Sequence, residues 1–595
     1  MRALKTIPVV LRSLLAIASM GSASLRGAEP ADAIVVGAGI AGLAAAWELA
    51  QGGAKVTVID MASVFGGHAV MATGDLCLIG TPFQEARGLH DNRDVAYRDF
   101  IAWGEDADPA WVRYYVDHSR SEIFDWVSGM GVEFDALTSP AGNSVVRTHR
   151  TKGRGLGLIS PIYRECVTHP AVTFLWNTRV DRLLSTEGSI TGVTATHLRS
   201  GATSELRARV VVLATGGFQS NLDLVRANWP AGSRFPRNFL IGAGINAQGS
   251  GLQLAQRAGA ALLRLDHQWN YVTGIPDPRF PNTPRGLNAS NNYSMWVNTE
   301  GRRFIAERTS SKYSLPVMLE QPGETYWSIF DEAAKRELFV AGSNWSDFRE
   351  VEKWIFANPA LVKTAATLEE LAVRTGLPAT ALQDSVRRFN AMAARGVDED
   401  FGRFGPGKPI APFQIVKPPF YAMQFFPLTR KSMGGVAIDL TARVQDAARR
   451  PIPGLFAAGE LTGLAGINGK AGLEGTFLGP SIITGRVAGR SALTDLGLKP
   501  NASPPSPRQA QSKVTADPAA TTPLCLSCHD LPQLVAPPRA GFWHFEKVHQ
   551  EVVARSFACT KCHADLSATY RPEAHRTNRL AQITTCVVCH QGEEH

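Results

Sequence analysis

The sequence lacks any compact run of lysine and arginine, and this argues against a nucleic-acid partner. Its formal charge of +8 is small for 595 residues, and charged residues make up only 19% of the chain. A hydrophobic content of 44% provides enough apolar side chains for large cores. These values indicate an ordinary globular protein with several domains, by the guide of roughly 150 residues per domain.

The N-terminal segment lacks a long apolar run. Basic residues precede an apolar stretch from Ile7 to Ile17, which Arg12 interrupts, and small residues follow it. The stretch is far shorter than the roughly 20 apolar residues of a membrane-spanning helix, so we expect a cleaved secretory signal in residues 1–28 rather than an uncleaved anchor. No twin-arginine pair precedes it, which favours the general secretory route, with cofactors acquired after export. We therefore expect a periplasmic protein without a stable membrane span.

Cysteine is scarce, and six of the 8 cysteines occur in Cys-x-x-Cys-His motifs near the C-terminus. The other two, Cys77 and Cys166, are far apart in sequence and have no adjacent histidine or lysine that would indicate a reactive thiolate. We interpret both as buried packing residues.

The Cys-x-x-Cys-His motifs are typical of c-type haem, in which two thiols form thioethers and the histidine binds iron. The attachment cysteines are Cys525, Cys528, Cys559, Cys562, Cys586 and Cys589, and the adjoining iron ligands are His529, His563 and His590. Zinc would use the cysteine pairs two at a time, and disulfides, the other alternative, give no reason for the histidines. As further iron ligands we expect His544, His549 and His575, with His595 as the surplus residue and a solvated surface histidine as the alternative for each.

The segment that carries these motifs, residues 524–595, is too short to close an apolar core unaided. We therefore expect the three porphyrins to form the core of a small, mostly irregular or helical multihaem domain. Residues 498–523 contain much proline, alanine and serine and few apolar side chains, which predicts a linker.

Residues 33–60 read as a strand, a glycine turn, a helix and a second strand. Gly37, Gly39 and Gly42 have the spacing of a dinucleotide-binding turn, in which the glycines allow the turn, the approach of a pyrophosphate and close helix packing. Asp60 ends the second strand, where a carboxylate reaches a ribose hydroxyl. The alternative is a glycine turn in an ordinary α/β domain. Because all four parts fit, we predict a bound dinucleotide.

Further segments extend this motif into a resemblance to the FAD-binding half of the fumarate reductase and succinate dehydrogenase flavoprotein family. They are residues 61–74, 210–218, 453–463 and 466–485, together with 108–134, 298–307 and 432–440. The resemblance covers residues 33–492. It implies an α/β fold with a Rossmann-like, two-part FAD-binding domain in residues 29–265 and 416–497, interrupted by an inserted α+β capping domain in residues 266–415.

The same resemblance implies a set of FAD-binding residues. They are Gly37, Ala38, Gly39, Ala41, Gly42, Asp60, Gly67, His68, Thr73, Gly74, Ala214, Thr215, Gly216, Gly217, Glu460, Gly475, Ser481 and Ile482. The helix after Gly475 is expected to direct its N-terminus at the flavin. His68 takes the place of the histidine that is bonded to FAD in succinate dehydrogenases, whereas soluble fumarate reductases have asparagine there, so a covalent and a non-covalent contact both stay open.

The catalytic residues of the family's fumarate reductases are only partly present. The replacements are Ser311 with Lys312 beside it, Tyr271, the pair Arg430 and Lys431, and Gly469 with Lys470 beside it. A substrate carboxylate favours arginine or lysine, so we expect Arg430, Lys431 and Lys470 to bind it, with solvated charges as the alternative. Tyr271 or Lys312 would donate a proton. These replacements argue against fumarate itself as the substrate.

A flavin exchanges hydride, whereas a haem passes single electrons, so their combination indicates an enzyme connected to an electron-transfer chain. The resemblance implies a periplasmic flavocytochrome c that reduces an activated C=C bond, fumarate-like or in another enoate, in anaerobic respiration. Its electron partner would be a periplasmic or membrane-bound, quinol-linked cytochrome. The alternative is a dehydrogenase that introduces a C=C bond and passes electrons out. A third alternative, an electron carrier with a vestigial flavin domain, is disfavoured by the complete FAD-binding segments.

Overall fold

A computed structural model describes residues 31–501. The predicted secretory signal, most of the predicted linker and every haem-binding residue lie outside this range. The fold class predicted for the described residues, a mixed α/β architecture with parallel and antiparallel sheets, is confirmed.

The strands are listed here in chain order. They are β1 (Ala31–Val36), β2 (Val56–Ile59), β3 (Asp75–Cys77), β4 (Phe134–Thr138), β5 (Thr148–Thr151), β6 (Val172–Leu175), β7 (Thr178–Thr186), β8 (Ser189–His197), β9 (Thr203–Leu213), β10 (Leu240–Ile241), β11 (Leu262–Leu263), β12 (Gln268–Pro276), β13 (Gly286–Asn291), β14 (Met295–Val297), β15 (Tyr326–Asp331), β16 (Leu338–Val340), β17 (Val362–Ala365), β18 (Phe420–Ser432), β19 (Gly435–Val436), β20 (Arg443–Gln445) and β21 (Pro451–Ala457).

The α-helices follow the same numbering. They are α1 (Ile40–Gln51), α2 (Pro82–Glu85), α3 (Arg93–Gly104), α4 (Pro109–His118), α5 (Asp125–Gly129), α6 (Arg154–Val167), α7 (Leu222–Ala227), α8 (Ser250–Arg257), α9 (Ser311–Glu320), α10 (Phe348–Val351), α11 (Leu368–Thr375), α12 (Ala379–Arg395) and α13 (Leu478–Asp495). None of the helices in residues 31–501 is long and apolar enough to cross a bilayer.

The first sheet holds the glycine turn. Its strand order is β20-β21-β9-β1-β2-β6, and β21, β9, β1, β2 and β6 run parallel to one another. Strand β1 lies inside the sheet, and its apolar residues, such as Ile34 and Val35, are buried on both faces of the sheet. Helices α1 and α13 cover one face, where small residues let them approach closely: a Cβ on Gly485 would lie 2.2 Å from the Ala41 carbonyl oxygen.

The second sheet is built from strands between β10 and β18. Its order is β14-β15-β18-β12-β13-β16, with β10 and β17 also paired to β18. Along β18, Tyr421 and Met423 pack into one apolar core and Ala422 between them packs into another, as the two-residue period of a strand requires. The last residues of β18 continue into the part of the chain that carries the glycine turns. Strand β18 therefore connects the second sheet to that part of the chain. The predicted domain bounds remain predictions.

The two cysteines of the described region confirm their predicted role. Cys77 and Cys166 are both free and fully buried. Burial raises the pKa of the Cys77 thiol to about 12 and that of Cys166 further still, so neither is a thiolate at neutral pH.

Candidate active site

The glycine turn after β1 has the backbone geometry that its sequence predicts. Gly37 has φ of +111°, and a Cβ there would lie 2.3 Å from the Ala214 carbonyl oxygen. A Cβ on Gly42 would lie 1.9 Å from the Gly37 carbonyl oxygen, so the third glycine is required for close packing. A Cβ on Gly39 would meet no atom within 4 Å. The space in front of the second glycine is thus open, as a pyrophosphate at this helix N-terminus requires.

Asp60 lies beside this turn at the end of β2. Its Oδ2 accepts a hydrogen bond from the Ala38 N–H at 2.6 Å, and its Oδ1 accepts one from the Ala62 N–H at 2.8 Å. Burial raises the pKa of Asp60, and these two hydrogen bonds partly oppose the shift. The carboxylate therefore holds the turn in shape. Each carboxylate oxygen keeps a further lone pair that can accept from a ribose hydroxyl. The ribose contact itself stays a prediction.

The next predicted FAD-binding segment, residues 214–217, follows β9 and meets the end of β18. The Ser432 N–H donates to Glu460 Oε1 at 2.9 Å, and the Phe218 N–H donates to Ser432 Oγ at 3.1 Å. A Cβ on Gly217 would lie 2.4 Å from Ser432 Oγ and 2.5 Å from Glu460 Oε1. Glycine is thus required at the point where these segments converge.

His68 joins the same cluster. Its Nδ1 lies 3.3 Å from Glu460 Oε2, and its buried Nε2 has no hydrogen-bond partner within residues 31–501. Burial lowers the pKa of His68, although the nearby Glu460 opposes this, so the ring is neutral at neutral pH. A buried nitrogen without a partner is rare in native proteins and fits a bound group that the protein alone does not supply.

The remaining predicted FAD-binding residues lie on connected backbone. Gly67 precedes His68 with φ of +52°, and Gly74 has φ of +80° with its carbonyl oxygen accepting from the Thr151 N–H at 3.0 Å. Thr73 Oγ1 donates to Asp75 Oδ2 at 2.8 Å. The rest of this set is Ala38, Ala41, Thr215, Gly216, Gly475, Ser481 and Ile482, which lie on the glycine turn, α1, the segment after β9, the turn before α13 and α13 itself. Together these residues fit FAD.

Four of the site's side chains form a second cluster between β12, β18 and the turn before α13. Lys431 Nζ lies 3.4 Å from Tyr271 Oη. The Tyr271 hydroxyl lies 2.9 Å from both Oε1 and Oε2 of Glu474, and Trp269 Nε1 donates to Oε1 at 3.4 Å. The register of the sheet produces this arrangement because Trp269 pairs with Lys431 across β12 and β18.

Glu474 is a functional candidate that sequence reasoning missed. It belongs to no motif, and 203 residues separate it from Tyr271. The available signal was its position directly before Gly475, in a segment already assigned to the flavin. Only the packing of that segment against β12 brings its carboxylate to the tyrosine.

The electrostatics of this cluster determine the charges of Lys431 and Tyr271 at neutral pH. Withdrawal from water lowers the pKa of Lys431 to about 8, although Glu474 opposes the shift. Burial first, and the charge of Glu474 second, raise the pKa of Tyr271 well above its usual value. At neutral pH the lysine is therefore mostly an ammonium group, and the tyrosine is a neutral phenol.

Arg430 donates two hydrogen bonds to main-chain carbonyl oxygens. Its guanidinium donates to the carbonyl oxygen of Gly242 and, at 3.0 Å, to that of Met71. The residue is 5% exposed, and burial lowers its pKa. Arg430 therefore fixes the segments beside His68.

Lys312 and Lys470, the other two predicted catalytic residues, lie near Glu105. Lys312 Nζ forms a 2.7 Å ion pair with Glu105 and donates to the Trp103 carbonyl oxygen at 2.8 Å. Lys470 is exposed. Within the described residues neither lysine bonds to Tyr271, Lys431 or Glu474. The structure therefore separates these two from the cluster. Residues 31–501 also hold no group of three or more side chains suited to a metal ion.

Comparisons with known proteins agree with this geometry. A sequence profile of the FAD binding domain family matches residues 32–478. A KsdD-like steroid dehydrogenase of Mycobacterium tuberculosis is 31% identical, over 78% of this chain and 96% of the relative. A fumarate reductase (cytochrome) of Shewanella frigidimarina is also 31% identical, over 78% of this chain and 77% of the relative. The open conformation of a flavocytochrome c3 fumarate reductase has a TM-score of 0.66 at 27% identity, covering 82% of this chain and 81% of that chain.

Proposed function

The chain belongs to the FAD binding domain family, and from this premise we propose that it is a periplasmic flavocytochrome c that reduces the C=C bond of an enoate. It is an FAD-dependent oxidoreductase of the family that includes fumarate reductases and steroid dehydrogenases, enzymes acting on CH–CH groups. Electrons would arrive from a periplasmic or membrane-bound cytochrome partner through three c-type haems in residues 524–595.

The observation that carries this proposal is the 3.4 Å separation of Lys431 Nζ from Tyr271 Oη. An enoate has its carboxylate one bond away from the carbon that receives the proton. An ammonium group that binds the carboxylate must therefore lie next to the group that donates the proton. Lys431 and Tyr271 satisfy this requirement.

In the proposed reaction, Lys431 binds the substrate carboxylate and stabilises the negative charge that develops on it. Tyr271 supplies a proton to the adjacent carbon. FAD, when bound, supplies hydride chemistry at the other carbon of the double bond. Arg430 holds the main chain at Gly242 and Met71, and so keeps the end of β18 in position for both residues.

The surroundings favour an enoate with one carboxylate and an apolar body. Lys431 has no carboxylate within ion-pair distance in residues 31–501, whereas Lys312 is paired with Glu105. The apolar cluster around the lysine consists of Trp269, Met433, Leu464, Ala471 and Phe477, with Trp103 and Tyr271 at its edge. Apolar and aromatic side chains of this kind bind an apolar substrate body, and a second carboxylate would be left without a cation.

The proposal is tested with the full-length protein carrying its cofactors and reduced methyl viologen as the electron donor. A panel of enoates with aryl, alkyl or second carboxylate substituents is supplied, and the products are identified by mass spectrometry. We expect the saturated acid from aryl or alkyl enoates and a lower kcat/KM for fumarate. Absence of any saturated product, with viologen remaining reduced, contradicts the proposal.

The dehydrogenase direction is the second candidate. The Tyr271 hydroxyl donates to both oxygens of the Glu474 carboxylate, and such a pair can also remove a proton from a substrate. Measured midpoint potentials distinguish the two directions. A flavin potential above that of the haems favours reduction of the substrate, because electrons then flow from haem to flavin, whereas the opposite order favours the dehydrogenase.

A further inference from the structure

We infer that Glu474 exchanges protons with Tyr271, so that Tyr271 acts on the substrate and Glu474 is the positioning and proton-relaying residue behind it. This inference rests on the proposed function, because the proton step belongs to the addition of hydrogen across the C=C bond. It holds in either direction of the reaction, since a proton path works both ways.

The geometry of the pair supports direct transfer. The Tyr271 hydroxyl lies 2.9 Å from each carboxylate oxygen of Glu474, within the range of a good O–H···O hydrogen bond. Trp269 Nε1 donates to Oε1 from the same strand as Tyr271 and limits rotation of the carboxylate. The backbone is fixed as well, because the carbonyl oxygen of the neighbouring Gly475 accepts from the Cys77 N–H at 2.8 Å.

The local charges explain why Tyr271 needs this partner. A phenol that loses its proton beside a carboxylate creates two adjacent negative charges, which a partly buried site disfavours. Transfer of a proton from water, through the Glu474 carboxylate, to the phenolate oxygen removes this penalty. Lys431, at 3.4 Å from the same oxygen, stabilises the phenolate during the transfer.

Charged groups from three parts of the described chain act on the pair of Tyr271 and Glu474. Arg430 and Lys431 face it from β18, and Glu460 and Asp75 act on Lys431 from the turn after β21 and from β3. Glu474 is only partly buried, whereas its neighbours Leu473 and Gly475 are buried. Because Tyr271 acts on the substrate in the proposed function, we place Glu474 as the member of the pair that exchanges protons with water.

The step balances in the direction of reduction. The electron pair of the substrate carbanion, formed by hydride addition in the proposed function, makes the new C–H bond as the Tyr271 O–H bond breaks. The Glu474 carboxylate then takes a proton from water and passes it to the phenolate oxygen, which restores the neutral phenol and the carboxylate. Oxidation of a saturated substrate reverses each transfer.

The first test uses Glu474→Gln, Glu474→Asp and Tyr271→Phe in the full-length protein with its cofactors. We expect Glu474→Gln to lower kcat roughly 100-fold with little change in KM, and to change the shape of the pH profile of kcat. Glu474→Asp restores part of kcat and the wild-type shape of that profile. The exposed Glu133→Gln is the matched control and keeps the wild-type profile. Wild-type kcat and pH profile in Glu474→Gln overturn the inference.

The second test needs no turnover. Fluorotyrosine placed at position 271 is titrated by fluorine NMR in the wild-type and Glu474→Gln backgrounds. We expect Glu474→Gln to lower the Tyr271 pKa, because the adjacent negative charge is gone. Equal midpoints overturn the inference and leave the proposed function standing. A shifted midpoint in a protein that reduces no enoate overturns the proposed function and leaves the coupling of Glu474 to Tyr271 standing.

Discussion

Lys431 holds its ammonium group 3.3 Å from the centre of the Phe477 ring. The negative face of an aromatic ring attracts a cation, so this contact keeps the charge in place without a carboxylate partner. Phe477 directly precedes α13, whereas Lys431 lies near the end of β18, and the contact connects the second sheet to the flavin-side helix. A cation fixed in this way stays available to a substrate anion.

Replacing Lys431 by methionine is expected to raise the KM for an enoate about 10- to 100-fold. A hydrogen bond to a charged group contributes roughly 1.5 to 3 kcal/mol, and methionine keeps the length of the side chain over Phe477 while removing its charge. Steady-state kinetics with the viologen donor measure the change. Reduction of the haems by the donor should be unaffected, and the exposed Lys152→Met should match the wild type. An unchanged KM would place the carboxylate-binding cation elsewhere.

The pH dependence of kcat/KM should contain the ionisation of Lys431. Only the ammonium form binds a carboxylate, and its pKa is lowered to about 8 by withdrawal from water. Binding is therefore retained below about pH 8, and kcat/KM should fall about tenfold per pH unit above it. Lys431→Arg should move this limb to higher pH, because a guanidinium stays protonated. If kcat/KM of Lys431→Arg falls at the same pH as that of the wild type, the ionisation belongs to another group.

Asp398 should stabilise the fold through its ion pair with Arg303. Arg303 Nη2 lies 2.9 Å from Asp398 Oδ2, and both side chains are buried. Although burial opposes it, bonding to Arg303 lowers the pKa of Asp398 from 3.8 to about 2. Asp398→Asn should therefore cost roughly 2 kcal/mol near neutral pH, seen as a lower thermal unfolding midpoint.

The pH dependence of that loss has a definite sign. A carboxylate with a lowered pKa contributes its stability above the unfolded value of 3.8 and loses it as the pH falls towards about 2. The gap between wild type and Asp398→Asn should thus narrow over this range. Asp384→Asn, at an exposed pair on α12, should behave like the wild type throughout. A constant gap would show that the loss comes from packing.

The mass of the exported protein should exceed that of the processed polypeptide by three haems. The reason is the number of Cys-x-x-Cys-His motifs in residues 524–595. Intact-mass spectrometry of the periplasmic protein gives the number directly, and Cys525→Ala with Cys528→Ala should remove one haem. A gain of two haems or fewer contradicts the attachment sites. Retention of Met1 contradicts cleavage of the signal.

FAD is expected to leave the protein on acid precipitation. His68 Nδ1 is close to Glu460, and its buried Nε2 has no hydrogen-bond partner within residues 31–501, so we expect Nε2 to make a non-covalent contact with the flavin. The measurement is the flavin absorbance of the supernatant against that of the starting protein. Flavin fluorescence retained on a proteolytic peptide that contains His68 would instead establish the covalent alternative, and His68→Asn should then release the flavin.

The sequence by itself determined the glycine turn, the buried cysteines and the family of the chain. Gly37 and Gly42 could be recognised because each is subject to a local constraint: Gly37 has a positive φ, and a Cβ on Gly42 would meet the carbonyl oxygen of Gly37 five residues earlier. The α/β class followed for the same reason, since β1, α1 and β2 are consecutive. Such local constraints leave a pattern in the sequence.

Only the tertiary structure decided which charged residues share a site. The sequence grouped Lys312 and Lys470 with Lys431, yet Lys312 pairs with Glu105, and Lys431 meets Tyr271 and Phe477 instead. Glu474 could be placed near the flavin by its position before Gly475, but its contact with Tyr271, across a separation of 203 residues, could not be predicted. Contacts of this kind depend on the register of β12 with β18 and on the packing of the turn before α13. No periodicity along the chain records either, because both arise from side chains that meet only after folding.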